Sequence, residues 1–81
     1  MTTKLIITQT AIQHCALGCY VILDAQGPRG GGQEYTVRFD RRGTLLNALR
    51  TAPDSFFYRS PEEIPQAIAE AARQVYDDHD T

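Results

Sequence analysis

The closing segment of the chain, residues 60–79, is the feature that most constrains the fold. It reads SPEEIPQAIAEAARQVYDDH and contains the signals of a helix start. Ser60 can accept hydrogen bonds from the free N–H groups of a first turn, and Glu63 stands where a capping box needs its acid. Pro61 suits a first helical position, whereas Pro65 would break a helix interior. We therefore predict a four-residue lead-in turn after Ser60 and a main helix from Pro65.

This helix is predicted to be apolar on one side and acidic on the other. The apolar residues recur at three- and four-residue spacing, which makes a narrow, alanine-rich stripe suited to close packing on a flat β-sheet. Residues 61–81 contain six acids and one arginine, so the outer side is negative. A negative surface of this kind can steer a basic partner. The stripe consists of Ile64, Ile68, Ala71 with Ala72, and Val75. The acidic side consists of Glu62, Glu63, Glu70, Asp77 and Asp78.

The size of the chain predicts a single domain of modest stability. A chain of 81 residues buries only about 60% of its unfolded surface. We therefore expect a monomer or a weak homodimer. No apolar run approaches the roughly 20 residues that span a bilayer, and no signal-peptide pattern begins the chain. The expectation is a cytoplasmic protein without a membrane partner.

The first half of the chain predicts β-strands. Residues 4–10 are rich in β-branched side chains, and residues 19–25 are apolar on both faces, as in a central strand. Residues 34–40 alternate cleanly, as in a half-solvated strand. The glycine-rich residues 26–33 between them predict a hairpin with a long flexible tip. Residues 11–18 are ambiguous, because they could extend the first strand, form a helical turn or make the link.

The middle of the chain predicts a short helix. Thr44 can cap it, its apolar positions run to Leu49, and the residue before Pro53 resists helical backbone angles. Residues 54–59, with the triplet Phe56–Tyr58, predict a short fourth strand or an apolar loop. The fold class is therefore α+β: an antiparallel three-stranded sheet, with a possible short fourth strand, and a short helix and a long C-terminal helix packed on one face.

Strand parity divides the side chains of this sheet between two faces. The face under the helices is predicted to contain Leu5, Ile7, Val21, Leu23, Tyr35, Val37 and Phe39, with Leu45, Leu46 and Leu49 of the short helix above it. The open face is predicted to contain Tyr20, Ile22, Asp24, Glu34, Thr36 and Arg38. An aromatic and an aliphatic residue within a charged rim have the composition of a small interface. Alternatively, residues 11–18 or 56–58 cover Tyr20 and Ile22.

No motif in the chain indicates catalysis, a metal or a cofactor. The glycine stretch lacks the GK[ST] of a phosphate-binding loop and leads into a strand. The spacing of Cys15 and Cys19 does not fit a zinc site with His14 and His79, so two small, buried, reduced thiols are expected. His14 and Cys15 would point to opposite faces of a strand. A thiol or metal enzyme built on these residues is the least favoured of three hypotheses.

The arginines of residues 34–60 support a second hypothesis, a nucleic-acid-binding accessory protein. This segment has five arginines against three acids. Phosphate contacts are predicted from Arg29, Arg38, Arg41 and Arg42, because a guanidinium binds phosphate through two hydrogen bonds. A sequence pI of about 5.5 disfavours this hypothesis, since nucleic-acid affinity comes largely from phosphate neutralisation.

The first hypothesis is a protein-binding inhibitor. The size, the predicted order of three strands and two helices, and the progression TVRFDRRGTLLNALR…SPEEIPQAIAEAARQV resemble small phage-encoded anti-CRISPR proteins that inhibit type I surveillance complexes. The resemblance implies a non-enzymatic protein of the host bacterial cytoplasm that blocks DNA binding by occupying a basic groove on a Cas subunit. Tyr20 with its neighbours on the sheet, or the acidic helix, would make the contact. No motif aligns an individual binding residue.

Overall fold

A computed structural model describes residues 5–27 and 30–80 of the chain, with the backbone alone at residue 80. The fold is a five-stranded antiparallel sheet in which each strand pairs with the next in chain order, followed by one helix. The α+β class is confirmed. The sheet has five strands, more than the three strands with a possible fourth that the sequence predicted. The elements are β1 (Ile6–Cys15), β2 (Gly18–Gln26), β3 (Gly32–Asp40), β4 (Leu45–Ala52), β5 (Phe56–Tyr58), a 3₁₀ turn (Pro61–Glu63) and α1 (Gln66–Asp80).

Strand β1 resolves the ambiguity over residues 11–18. It runs to Cys15, and the link to β2 is only Ala16 and Leu17. The register against β2 shifts between Ile7 and Gln9. In a regular strand, residues an odd number of positions apart point to opposite faces. Because of this bulge, Ile7 and Ile12 nevertheless both pair with core residues of β2.

The predicted short helix is wrong, because its residues form β4. Leucine and alanine favour a helix locally, but pairing with β3 satisfies the backbone of both strands. The turn between them holds this arrangement. The Asp40 side chain accepts hydrogen bonds from the N–H groups of Arg42 at 2.8 Å and Thr44 at 2.9 Å. Gly43 has a φ of +85°, which glycine adopts readily. Thr44 therefore continues a hairpin and caps no helix.

The core lies between α1 and one face of the sheet. Val21, Leu23, Val37 and Phe39 are buried there, as predicted, and so is Tyr35. Two predicted core residues differ. Leu46 is half-buried beside a register shift in β4, and Leu49 lies on the opposite face because Ala48 takes the core position. Leu5 and Ile7 pack at the margin of the core and stay half-buried.

The closing segment folds as predicted. The Glu63 carboxylate accepts a hydrogen bond from the Ser60 backbone N–H at 3.2 Å, as in a capping box. The Pro65 carbonyl then accepts from Ile68 and Ala69, both at 3.0 Å, and begins the main helix. Ile64, Ile68 and Ala72 are buried, while Ala71 and Val75 are half-buried. Within the described part of the chain, no helix is long and apolar enough to cross a bilayer.

Candidate protein-interaction surface

A single row of side chains crosses all five strands on the face of the sheet that α1 leaves uncovered. The register pairs Ala11 with Ile22, Ile22 with Thr36, Thr36 with Leu49, and Leu49 with Phe57. We call these five residues the open-face row. Cross-strand neighbours on one face have Cβ atoms about 4.5–5.5 Å apart, so the row is a continuous strip.

Much of the open-face row is apolar and exposed. Leu49 keeps 38% and Phe57 51% of its surface exposed, and Ile22 is half-buried. Single exposed apolar residues are ordinary on protein surfaces, but a contiguous group with a polar rim is typical of an interaction site. Neither β1 nor β5 lies over Ile22, because both strands extend the sheet sideways.

Charged residues flank the open-face row with opposite signs. On one side Tyr20 pairs with Arg38 across β2 and β3. On the other side Asp24 pairs with Glu34, which sets two carboxylates directly opposite each other. The Thr51 hydroxyl donates a hydrogen bond to Glu34 Oε1 at 2.6 Å. The surface is therefore an apolar strip between a cationic flank and an anionic flank.

The structure brings together the predicted open-face residues Tyr20, Ile22, Asp24, Glu34 and Arg38. The sequence-based prediction missed Leu49, which it assigned to a helix, and Phe57. A signal for Phe57 was present. In a strand, the middle residue of the triplet Phe56–Tyr58 must point away from its two neighbours.

The acidic side of α1 belongs to the helix that packs on the other face of the sheet, although Asp78 shares a groove with Ala11 of the open-face row. Its members are exposed, and two of them accept hydrogen bonds from glutamines on the same helix. Gln66 donates to Glu70, and Gln74 donates to Asp78, both at 3.0 Å. The two surfaces do not form one site. The exposed acids of the lead-in and helix are Glu62, Glu63, Glu70, Asp77 and Asp78.

Three of the four arginines predicted to contact phosphate are described, and they lie in two different settings. Arg38 lies on the open face, whereas Arg41 and Arg42 lie at the β3–β4 turn. Arg41 Nε donates to the Ala16 carbonyl at 2.8 Å and so joins the β3–β4 turn to the β1–β2 turn. Arg29 falls outside the described residues.

A small cleft between β1 and the end of α1 contains the histidines and Cys19. Its volume is about 250 Å³, and the ring centres of His14 and His79 are 4.9 Å apart. Burial, and secondarily the nearby Cys15, raises the pKa of the Cys19 thiol, which opposes formation of a nucleophilic thiolate. Cys15 itself is exposed, so the prediction of two buried thiols holds only for Cys19.

The described residues contain no group of three or more His, Cys, Asp or Glu side chains arranged to hold a metal ion. Comparison with protein families, curated proteins and solved structures found no match. Among the surfaces described above, the open-face row combines exposed apolar side chains with charged flanks.

Proposed function

We propose that this protein is a non-enzymatic binding protein that docks a partner protein on its open-face row. The observation that carries the proposal is the uncovered apolar strip of Ile22, Leu49 and Phe57. Ile22 stands on β2, whose other face packs against α1, while Leu49 and Phe57 stand on the paired strands β4 and β5. Strand pairing sets the positions of these residues before binding. A preorganised surface loses less entropy on association than a flexible one.

The flanks of the row define the chemistry of the partner. An apolar centre would fill the strip, an acidic group would lie opposite Arg38, and a basic group would lie opposite Asp24 and Glu34. Apolar cores with polar rims are the usual anatomy of protein interfaces. Phe57 and Tyr20 are the expected anchors, since aromatic residues dominate the binding energy of many interfaces.

The partner suggested by the resemblance is a Cas subunit of a type I surveillance complex, with inhibition of its DNA binding as the outcome. Small size and a pI of about 5.5 support this partner. The net charge of −2 would favour encounter with a basic groove, and Asp24 and Glu34 are the acids on the docking face itself. The predicted order of three strands and two helices gives no support, because five strands and one helix are observed.

The two phenylalanines of β5 provide a matched test of the docking surface. Phe56 and Phe57 are adjacent and similarly exposed, at 49% and 51%, but they point to opposite faces. Phe57→Ala should weaken partner binding at least tenfold, and Phe56→Ala should leave it within about twofold, as expected for a central aromatic contact. Binding that survives Phe57→Ala and Leu49→Asp, but is lost on charge reversal of Glu70, Asp77 and Asp78, would move the site to α1.

The Cas hypothesis has its own experiment. A purified type I complex is mixed with labelled target DNA, with and without this protein, and DNA binding is measured by gel shift. The hypothesis predicts loss of the shifted band with the wild type and with Phe56→Ala, and its return with Phe57→Ala. An unchanged shift at saturating protein would exclude that complex as the partner while leaving the docking surface to be tested with another protein.

A second function, binding of single-stranded nucleic acid, is favoured by one observation. Tyr20 and Arg38 form a cross-strand pair on an open sheet, and an aromatic ring beside a guanidinium can stack with bases. The carboxylates of Asp24 and Glu34 on the same face oppose the approach of phosphate. Fluorescence anisotropy with a labelled oligonucleotide at low and high salt tests this function. The nucleic-acid hypothesis predicts that the oligonucleotide binds at low salt and that Arg38→Ala weakens this binding. If the oligonucleotide does not bind at low salt, the hypothesis is excluded.

A further inference from the structure

The two edges of the sheet differ sharply in their protection against pairing with another strand. An edge strand presents unpaired N–H and C=O groups that another strand can satisfy. Strand β5 is a three-residue edge between Asp54 and Arg59, and shortness and flanking charge both discourage pairing. Strand β1 is a ten-residue edge whose sequence, IITQTAIQHC, contains no proline and no Asp, Glu, Lys or Arg.

Most of β1 is also regular. Its register shift lies between Ile7 and Gln9, near the start, and from Gln9 to Cys15 the pairing with β2 is unbroken. Seven residues of antiparallel strand extend about 24 Å. The end of α1 lies beside this stretch, where Val75, Asp78 and His79 line one shallow groove with Thr10, Ala11 and Ile12 of β1. The exposed edge therefore offers unpaired backbone groups beside a groove that is partly apolar and contains one carboxylate, that of Asp78.

We infer that β1 pairs antiparallel with β1 of a second copy of this chain. A two-fold axis through Ile12 places that residue beside Ile12 of the second copy. The same axis sets Ala11 opposite Gln13, and Thr10 opposite His14, of the other chain. All seven residues from Gln9 to Cys15 then find partners, and no pair sets two formally charged groups opposite each other at neutral pH, with histidine neutral.

A second copy fits this edge because the side chains of β1 can lie opposite those of another β1 strand without repulsion between charges in the two strands. Like charges directly opposite one another destabilise a strand pair, and β1 itself has no formal charge. The acid that shares a groove with Ile12 is Asp78, which belongs to α1 and not to the strand pair. β-Branched neighbours such as two Ile12 side chains stabilise such a pair. The product is a ten-stranded sheet with both helices on one face and both open-face rows on the other. This inference does not depend on the proposed function.

The test is the mass of the purified chain in solution, measured by sedimentation over a wide range of concentrations. The expected result is a rise toward twice the 9.0 kDa mass of the chain. Ala11→Lys with Gln13→Lys introduces two like-charged cross-strand pairs and should raise the dimer dissociation constant roughly tenfold. Ala11→Glu with Gln13→Glu should do the same, and a mixture of the two variants should restore dimers of one copy each. Both positions are exposed.

The control variant, Ser55→Lys with Ala67→Lys, adds the same charge at exposed positions away from β1 and should dimerise like the wild type. Two results would overturn the inference. One is a wild-type chain that stays at 9.0 kDa up to millimolar concentration. The other is dimerisation that the β1 variants do not weaken. Neither result bears on the open-face row, because no partner protein is present in the experiment.

Discussion

The guanidinium of Arg73 lies 5.2 Å from the centre of the Phe39 ring. Arg73 is the only arginine or lysine in residues 61–81, and its side chain, although exposed, reaches the Phe39 ring on β3. Its Nη1 also donates a hydrogen bond of 2.6 Å to the Gly43 carbonyl. The contact fastens α1 to the β3–β4 turn, and it removes the one strong base from the outer side of the helix. The acidic character of that side comes from its own carboxylates, and this contact engages the one strong base that could offset them.

Replacing Arg73 should therefore destabilise the fold. Arg73→Ala removes a cation–π contact and a hydrogen bond to a carbonyl, and we expect a loss of about 1–3 kcal/mol in the free energy of unfolding. Urea denaturation monitored by circular dichroism measures it. Arg59→Ala, at an exposed loop position, is the control and should change the unfolding free energy by less than about 0.5 kcal/mol. Equal effects of the two changes would contradict a structural role for Arg73.

A side chain at position 18 should be among the most damaging small changes. Gly18 has a φ of +148°, and a Cβ atom there would meet the Phe39 carbonyl oxygen far inside van der Waals contact. We expect Gly18→Ala to cost about 3 kcal/mol or more, since backbone must move to relieve the clash. Gly31→Ala is the control, because a Cβ at that position has open space around it. The midpoint of thermal unfolding should fall for the first variant and stay nearly constant for the second.

Substitution of two isoleucines compares the core under α1 with the open face of the sheet. Ile68 of α1 is fully buried, whereas Ile22 lies on the open face and is half-buried. Ile68→Ala should cost about 2–4 kcal/mol of unfolding free energy, through lost burial and the cavity left behind. Ile22→Ala should cost about 1 kcal/mol or less. A larger loss at Ile22 would mean that the open face is covered in solution, and sedimentation of that variant would show whether a second copy covers it.

The two thiols should react at very different rates. Cys15 is exposed, while Cys19 is buried and burial raises the pKa of its thiol. Since the thiolate is the reactive form, iodoacetamide near pH 8 should modify Cys15 readily and Cys19 only after unfolding. Peptide mass mapping of briefly labelled native protein measures the ratio. Comparable labelling of both residues in the folded protein would contradict the burial of Cys19.

Alkaline pH should lower the stability of the fold through the same thiol and Tyr35. Burial raises the pKa of both groups in the folded protein. The unfolded chain then releases these protons first, so stability is retained at neutral pH and falls as pH rises above about 8.5. Urea midpoints between neutral and alkaline pH measure the fall. Cys19→Ala should make the curve shallower near pH 9, and Cys15→Ala, which removes only the smaller of the two causes that raise the pKa of Cys19, should change the curve less.

Local sequence patterns predicted the secondary structure correctly where side-chain periodicity and helix signals agree with the tertiary environment. The alternation of residues 34–40 matches β3, and the capping box at Ser60 and Glu63 precedes the helix as expected. The open-face positions of Tyr20 and Arg38 also follow from strand parity. The two residues pair with each other, and the pairing of β2 with β3 has no register shift. These assignments depend only on neighbours in the chain.

The failures occur where a distant strand decides the structure. Residues 45–50 have the composition of a helix, but β3 needed a hydrogen-bonding partner on its free side, and β5 then paired with the outer side of β4. Leu49 consequently faces outward beside Phe57. Sequence spacing could not have predicted the apolar strip, since it joins residues that are neighbours only through strand register.

The sequence by itself determined the class of the fold, the position and polarity of the closing helix, and the strands β2 and β3. These depend on periodicity, capping and charge, which are local properties. The tertiary structure decided the number of strands, the β-strand state of residues 45–52, and the bulge that aligns Ile7 with Ile12. It also decided that Leu49 and Phe57 stand exposed in one row. The reason is that backbone hydrogen bonds between strands satisfy groups far apart in the chain, and this requirement outweighs local helix propensity.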